Sequence, residues 1–164
     1  ATSLYYFNKG GKVQQLMHQL KYKGQKDIGL YIGNSYGKEL LKSDLFNTIE
    51  YVITVPLHPK KLKQRGYNQS ELIAQGISQS MNIPLDIKTL MKINETKTQT
   101  HKSRFNRWEN VKEVFKLKEY HHLTDKHVML VDDVITTGST IESCIVQLSK
   151  IPGIKISVAT MACA

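Results

Sequence analysis

Val128-Met129-Leu130-Val131 leads into Asp132-Asp133 and then, past Val134 and Ile135, into Thr136-Thr137-Gly138-Ser139-Thr140. Four apolar residues rich in valine predict a buried strand of a parallel sheet. The two carboxylates stand at its C-terminal end, where open α/β sheets bind their ligands. The hydroxyl-rich turn runs into an amphipathic stretch with Ile141, Cys144, Ile145 and Leu148 on one face. Such a turn offers backbone N–H groups, side-chain hydroxyls and a helix N-terminus to one anion. Acids followed by an anion cradle suit a ligand with ribose hydroxyls beside a 5′-phosphate. The chemistry is that of a phosphorylated sugar rather than a nucleoside triphosphate. Neighbouring strand residues point to opposite faces, so both acids reach one ligand only if the strand ends at Asp132.

A second constellation follows another strand end. Val55-Pro56-Leu57-His58-Pro59 opens into a segment carrying Lys60, Lys61, Lys63 and Arg65 with no acid, and then Gly66-Tyr67-Asn68-Gln69. A basic loop there, with a helix N-terminus beyond it, is suited to a diphosphate. The formal net charge is +9, and residues 58–66 and 91–118 carry all of it, with excesses of four and five. Positive charge gathered in this way implies an anionic partner, either a polyphosphate ligand or a nucleic acid.

The elements that must position these residues are partly legible. Val13, Leu16, Met17 and Leu20 predict a first helix ending near Lys23-Gly24, and Ile28, Ile32, Tyr36 and Leu40 a second over 28–42. Val52-Ile53-Thr54-Val55 reads as a strand stopped by Pro56. Asn68, with Glu71 three residues later, signals the N-cap of a helix carrying Leu72, Ile73, Ile77 and Met81. A short strand is expected over 85–90, a polar loop from Asn94 to Arg104, and a final strand over 154–161. Alternating strands and helices predict an α/β domain, a doubly wound, mostly parallel sheet flanked by helices. At 164 residues the chain suits a single domain over 1–164. It has no membrane-length apolar run and no signal peptide. Cys144 and Cys163 lack CxxC partners, which argues against a zinc site or a disulfide framework and for a cytoplasmic location. The chain begins at Ala1 without a methionine, and so reads as a piece of something longer.

The run from Val128 to Thr140 resembles the signature of the type I phosphoribosyltransferases, which bind 5-phosphoribosyl-1-pyrophosphate with magnesium. The resemblance implies that Asp132 and Asp133 hold the ribose 2′ and 3′ hydroxyls and the metal. It implies that Thr136, Thr137, Gly138, Ser139 and Thr140 hold the 5′-phosphate. A loop in the place of Leu57, His58, Lys60 and Lys61 contacts the pyrophosphate in that family. The stretch Pro56-Leu57-His58-Pro59 with Arg65-Gly66-Tyr67-Asn68-Gln69 looks, more narrowly, like the ComF family of competence-associated proteins. Leu20 to Gly24, the Thr98-Gln99 pair, and Arg107 and Asn110 followed by Phe115 agree with it. Many members of that family carry a four-cysteine zinc module ahead of this domain, a segment these residues do not contain. Thr136 stands where the 6-oxopurine salvage enzymes have an acid, which argues against that acceptor class.

The implied reaction passes through an oxocarbenium-like state at C1′, assisted by stabilising the departing pyrophosphate and positioning the acceptor. Magnesium with Lys60, Lys61 or Arg65 would neutralise the leaving group. The 94–110 loop would close over C1′, bringing Arg104 and Arg107 to phosphate oxygens. Trp108 reads as a packing residue, and His58 as one that orients its loop. The rival reading is a non-enzymatic module that binds DNA or the DNA-uptake machinery, with the sugar phosphate at most a regulatory ligand. Against it, the lysines are not interleaved with aromatics, and no helix-turn-helix or zinc finger is visible. Assembly into a homo-oligomer is left open.

Overall fold

Side chains of the central strands of the sheet alternate between two apolar layers, and that alternation sets the architecture. The computed structural model describes residues 1–6, 11–22, 24–93 and 114–163. In chain order its elements are β1 (Thr2–Tyr6), α1 (Lys12–Tyr22), α2 (Lys26–Leu40), β2 (Tyr51–Thr54), α3 (Pro59–Arg65) and α4 (Gln69–Met81). There follow β3 (Leu85–Asp86), β4 (Leu90–Lys92), β5 (Phe115–Leu117), β6 (His127–Ile135), α5 (Ser139–Leu148) and β7 (Lys155–Cys163). Five strands form one parallel sheet in the order β1-β7-β6-β2-β3, while β4 and β5 form a separate antiparallel ribbon.

From β6, Met129 and Val131 join Val52, Ala159 and Met161 in a layer beneath α1, α2 and α4. Val128 and Leu130 join Ile53 and Val158 in the opposite layer, with α5 and the β4–β5 ribbon. The predicted doubly wound, mostly parallel α/β sheet is therefore the fold. Burying a leucine- or isoleucine-sized side chain contributes about 1.5–3 kcal/mol, so these layers outweigh any single turn or cap.

The helix over 28–42 lies at Lys26–Leu40, with Ile32, Tyr36 and Leu40 buried as its spacing predicts. Its glycines, less visible in the pattern, set its distance from α4. A Cβ at Gly33 would fall 2.0 Å from the carbonyl oxygen of Ile73, and one at Gly76 would fall 2.3 Å from that of Leu30. Only backbone fits at this crossing, and the crossing holds α4 against the sheet.

Four features depart from what the residue pattern predicts. The strand over 85–90 is two elements, because the Asp86 carboxylate accepts from the N–H groups of Lys88 and Thr89 and from the Thr89 hydroxyl. That Asx-type turn sends β3 into the main sheet and β4 away from it. The basic loop after β2 is largely helical: α3 has Pro59 in its first turn, His58 as N-cap, and Gly66 as a left-handed C-cap with φ +79°. Finally, β1 has no counterpart in the apolar pattern; it is an edge strand paired with β7. The final strand extends to Cys163 rather than 161. Among the described residues, no helix is long and apolar enough to cross a membrane.

Candidate functional site

β2 and β6 lie side by side, yet the chain leaves them in opposite directions. From β2 it passes through α4 to β3, and from β6 it passes through α5 to β7 on the other flank. Such a switch point opens a crevice at the C-terminal ends of the two strands. β2 is the shorter: its pairing with β6 ends at Thr54 opposite Val131, with one further bond from Val55 N–H to the Val131 carbonyl. β6 runs on, paired only with β7, through Asp132 opposite Thr160 to Ile135 opposite Cys163. Pairing with β2 thus stops at Val131 while pairing with β7 continues to Ile135, so the condition under which both acids could reach one ligand is met on the β2 side only.

The two carboxylates differ accordingly. Asp132 is 8% exposed and Asp133 is half-buried. Asp132 Oδ1 accepts the N–H of Asp133 at 2.8 Å, and Asp133 Oδ1 accepts that of Val134 at 2.7 Å. Asp132 also accepts the hydroxyl of Ser70 at 2.9 Å. Ser70 stands in the first turn of α4, whose N-cap, Asn68, accepts from Ser70 N–H and donates to the Val55 carbonyl. The end of β2, the start of α4 and the end of β6 are thereby one hydrogen-bonded unit.

Asp132 and Thr136 to Thr140 line a cleft of about 70 Å³ over the N-terminus of α5. Asp133 is not part of that lining. Gly138 is the N-cap, with φ +77°, and no side chain bonds into the cap. Asn68 and His58, by contrast, cap α4 and α3 through their own side chains. A glycine N-cap in place of a capping side chain costs a helix only a few tenths of a kcal/mol, and α5 is held by burying Ile141, Cys144 and Leu148. The first-turn N–H groups of α5 and the paired hydroxyls of Thr137 and Ser139, 3.0 Å apart, are what the turn can offer an anion. Burial, followed by the charge of Asp132, pushes the Cys144 thiol well above the usual range, so that side chain packs and stays neutral.

A second cleft, about 160 Å³, opens at the end of β2 on the β3 side, lined in part by Pro56, Leu57, Asn68, Glu71, Met91 and Lys92. His58 caps α3 through Nδ1, accepting from Lys60 N–H at 3.3 Å. Lys60 and Lys61 are exposed in the first turn of α3, and Arg65 donates to the Gln69 side chain at 3.1 Å. Tyr67 packs on the core and donates its hydroxyl to the Leu20 carbonyl. Arg104, Arg107, Trp108 and the 94–110 loop lie outside the described residues. Reasoning from sequence passed over Ser70 and Lys92. Ser70 was accessible in principle, since a predicted N-cap at Asn68 places it in the first helical turn.

Asp132 and Asp133 at the β6 end are carboxylate donors of the kind that can share a magnesium ion with a bound ligand. In general that ion is bound through one or two carboxylates together with water and substrate phosphates. Among the described residues, no group of three or more His, Cys, Asp or Glu side chains could hold a metal alone.

No protein-family model matches the chain. DNA utilization protein YhgH of Salmonella typhimurium is 32% identical over 129 residues, which cover 77% of this chain and 56% of that protein. Competence protein F of Haemophilus influenzae is 39% identical over 93 residues, 56% of this chain and 41% of that protein. The chain thus spans about half the length of the curated relatives it matches. Among solved structures, UMP synthase of Leishmania donovani aligns over 90% of this chain and 24% of its own, with TM-score 0.51 and 17% identity, a likeness of fold alone.

Proposed function

This chain is a homologue of DNA utilization protein YhgH and of Competence protein F on a type I phosphoribosyltransferase-like fold, in line with the ComF resemblance of its motifs, and from that premise we propose that it binds 5-phosphoribosyl-1-pyrophosphate with magnesium and transfers the phosphoribosyl group to an acceptor. The observation that carries the reading is the juxtaposition of a buried carboxylate, Asp132, with an α5 N-terminus that no side chain caps, in one cleft at the sheet's switch point.

In this reading Thr136 to Thr140 receive the 5′-phosphate through the α5 N-terminus and their hydroxyls. Asp132 and Asp133 accept hydrogen bonds from the ribose hydroxyls, and Ser70 holds Asp132 in place. Lys60, Lys61 and Arg65 face the diphosphate from α3, the arginine steadied by Gln69. Asp132 and Asp133 would hold magnesium, which would supply neutralising charge to the diphosphate. The C1′–oxygen bond breaks with its electron pair leaving on diphosphate, positive charge develops at C1′, and the acceptor's lone pair closes the new bond. Hydrogen bonds to a charged group contribute about 1.5–3 kcal/mol each, so a preorganised cradle and a basic wall give a compact polyanion useful affinity.

Calorimetric titration with 5-phosphoribosyl-1-pyrophosphate, with and without magnesium, against ribose 5-phosphate is the test. Magnesium-dependent binding tighter than the control supports the reading; binding of neither ligand removes it. A second reading takes its support from the exposed lysines of α3 and from the names of the relatives: a DNA-uptake module for which the sugar phosphate is a regulatory ligand. DNA affinity that falls steeply with added salt and is indifferent to Asp132 and Asp133 favours that alternative.

A further inference from the structure

β3 is the outermost strand of the sheet, beside β2, and against it opens a cleft of about 380 Å³, a size typical of small-molecule sites. Its lining comes from three parts of the chain: Tyr51 at the start of β2, Leu85 to Thr89 in β3 and its turn, and Glu119 and His122 after β5. The cleft shares no residue with the α5 cradle and meets the cleft at the end of β2 only at Ile87.

The acids of this lining are already engaged. Asp86, held ionised by its hydrogen bonds, accepts from the N–H groups of Lys88 and Thr89, the Thr89 hydroxyl and His122 Nε2. Those donors take up the roughly four positions a carboxylate offers. Glu119, exposed at the rim, lies 3.5 Å from the Lys118 ammonium. A cationic ligand therefore meets no free carboxylate, and Lys88, a single exposed ammonium, is too little to cradle an anion. What remains is a neutral acceptor. An ionised carboxylate cannot donate, so the neutral His122 ring carries its proton on Nε2, 2.8 Å from Asp86 Oδ2, and Nδ1 keeps its lone pair. Among the described residues Nδ1 has no hydrogen-bond partner, and the side chain is 44% exposed. The His122 ring stands 5.5 Å from that of Tyr51 at an angle of 66°, so two aromatic surfaces form a corner, with Leu85 and the exposed Ile87 beside them. An apolar, aromatic corner with one fixed acceptor suits a flat ring that bears an N–H donor, and nucleobases stack on aromatic side chains in this way.

We propose that this cleft binds an amino-bearing nucleobase, whose exocyclic N–H donates to His122 Nδ1 while the ring lies against Tyr51 and Ile87. Asp86 is the positioning residue, since it fixes which nitrogen of His122 accepts. The same chemistry is offered by a free nucleoside or by an unstacked base of a single strand. The site stands apart from the sugar-phosphate site at the end of β6 and does not depend on that reading.

The test is calorimetry on the full chain and on His122→Phe with three separate probes: adenosine, purine riboside and a single-stranded hexamer of deoxyadenosine. The two nucleosides differ only in the 6-amino group, and neither carries a phosphate for the α5 cradle. Adenosine should bind the parent chain roughly three- to tenfold more tightly than purine riboside, the contribution of about one hydrogen bond. Phenylalanine keeps a flat ring beside Tyr51 but has no Nδ1, so the preference should vanish in His122→Phe. Long-range nitrogen–proton magnetic resonance of the parent chain needs no variant, and so decides the matter if His122→Phe fails to fold. It should show His122 protonated on Nε2, with Nδ1 shifted by adenosine and not by purine riboside. His122-dependent binding of the hexamer by a chain that ignores adenosine upholds the site and assigns the base to a nucleic acid strand. Equal affinity for the two nucleosides, a preference that survives in His122→Phe, or a proton found on Nδ1 overturns the proposal. So does a parent chain that binds neither adenosine nor the hexamer, or that binds the hexamer alone and equally well without His122.

Discussion

Ser70 donates its hydroxyl to Asp132 across 2.9 Å, joining the first turn of α4 to the end of β6. Both residues are buried, at 4% and 8% exposure, so the bond is shielded from water and fixes one carboxylate oxygen. Ser70→Ala leaves the Asp132 carboxylate with one donor fewer. The expected cost is about 1–3 kcal/mol of stability, read by denaturant unfolding, and a several-fold loss of affinity for the magnesium complex of 5-phosphoribosyl-1-pyrophosphate. Ser70→Thr, which keeps the hydroxyl, should recover most of the affinity. Equal affinity in all three chains would leave Ser70 a purely structural residue.

Replacing Asp132 and Asp133 together by asparagine removes the two negative charges with little change of volume. The expected result is abolished binding of that magnesium complex and an unchanged far-ultraviolet circular dichroism spectrum. Undiminished binding by the double variant sinks the site assignment.

How much of this could be read from the residues depends on how local each feature is. The strand over Val128 to Val131, the cap at Asn68 and the buried stripe of α5 are written in short-range patterns, and each appears where its pattern predicts. β1 is not, because an edge strand such as Thr2–Tyr6 is defined by its pairing with β7 rather than by alternation. Pro59 and Gly66 did spell out α3, but without an apolar face the segment reads as a basic loop. The site's fixed geometry was least legible. Ser70 meets Asp132 over a separation of 62 residues, and Lys92 meets the β2 connection only because Asp86 turns the chain. Such encounters are tertiary, and no local periodicity encodes them.

Gly138 adopts φ +77° at the mouth of the α5 cradle. A Cβ there would find only the Ile135 Cδ1 atom, at 3.8 Å, so Gly138→Ala meets strain rather than collision. The left-handed conformation costs a non-glycine residue about 1–2 kcal/mol. If the turn relaxes to escape that cost, its N–H groups swing away from the anion. Ribose 5-phosphate affinity should fall about tenfold, with a modest drop in melting temperature. A chain that loses stability but keeps its affinity would show that the turn's conformation does not matter to the ligand.

Gly33→Ala tests the scaffold instead. Its Cβ would sit 2.0 Å from the Ile73 carbonyl oxygen, a backbone atom that cannot rotate aside, so α2 and α4 must separate. A loss of about 1–3 kcal/mol or more follows, measured by urea unfolding. Because α4 carries Ser70, ligand affinity should fall as well, even though Gly33 is far along the chain from every site residue.

The Asp86 turn makes stability depend on pH in a definite direction. Burial alone would raise the Asp86 carboxyl. The hydrogen bonds from the Thr89 hydroxyl and N–H, from Lys88 N–H and from His122 overbalance it, and the group is held below the ordinary aspartate value. His122 Nε2 approaches Asp86 Oδ2 to 2.8 Å, and the carboxylate is 9% exposed. A carboxyl whose folded value is depressed binds its proton more readily when unfolded. Its stabilisation is therefore complete above the unfolded aspartate value, near about 3.9, and is lost as pH falls from there through the folded value. Thermal melts between neutral pH and pH of about 2.5 should show a falling melting temperature in the parent chain. In Asp86→Asn, which is less stable at neutral pH, the fall should be shallower, so that the two curves converge at the acid end. Parallel curves would mean that Asp86 contributes no proton-linked stability and that the turn is held by Thr89 and Lys88 geometry alone.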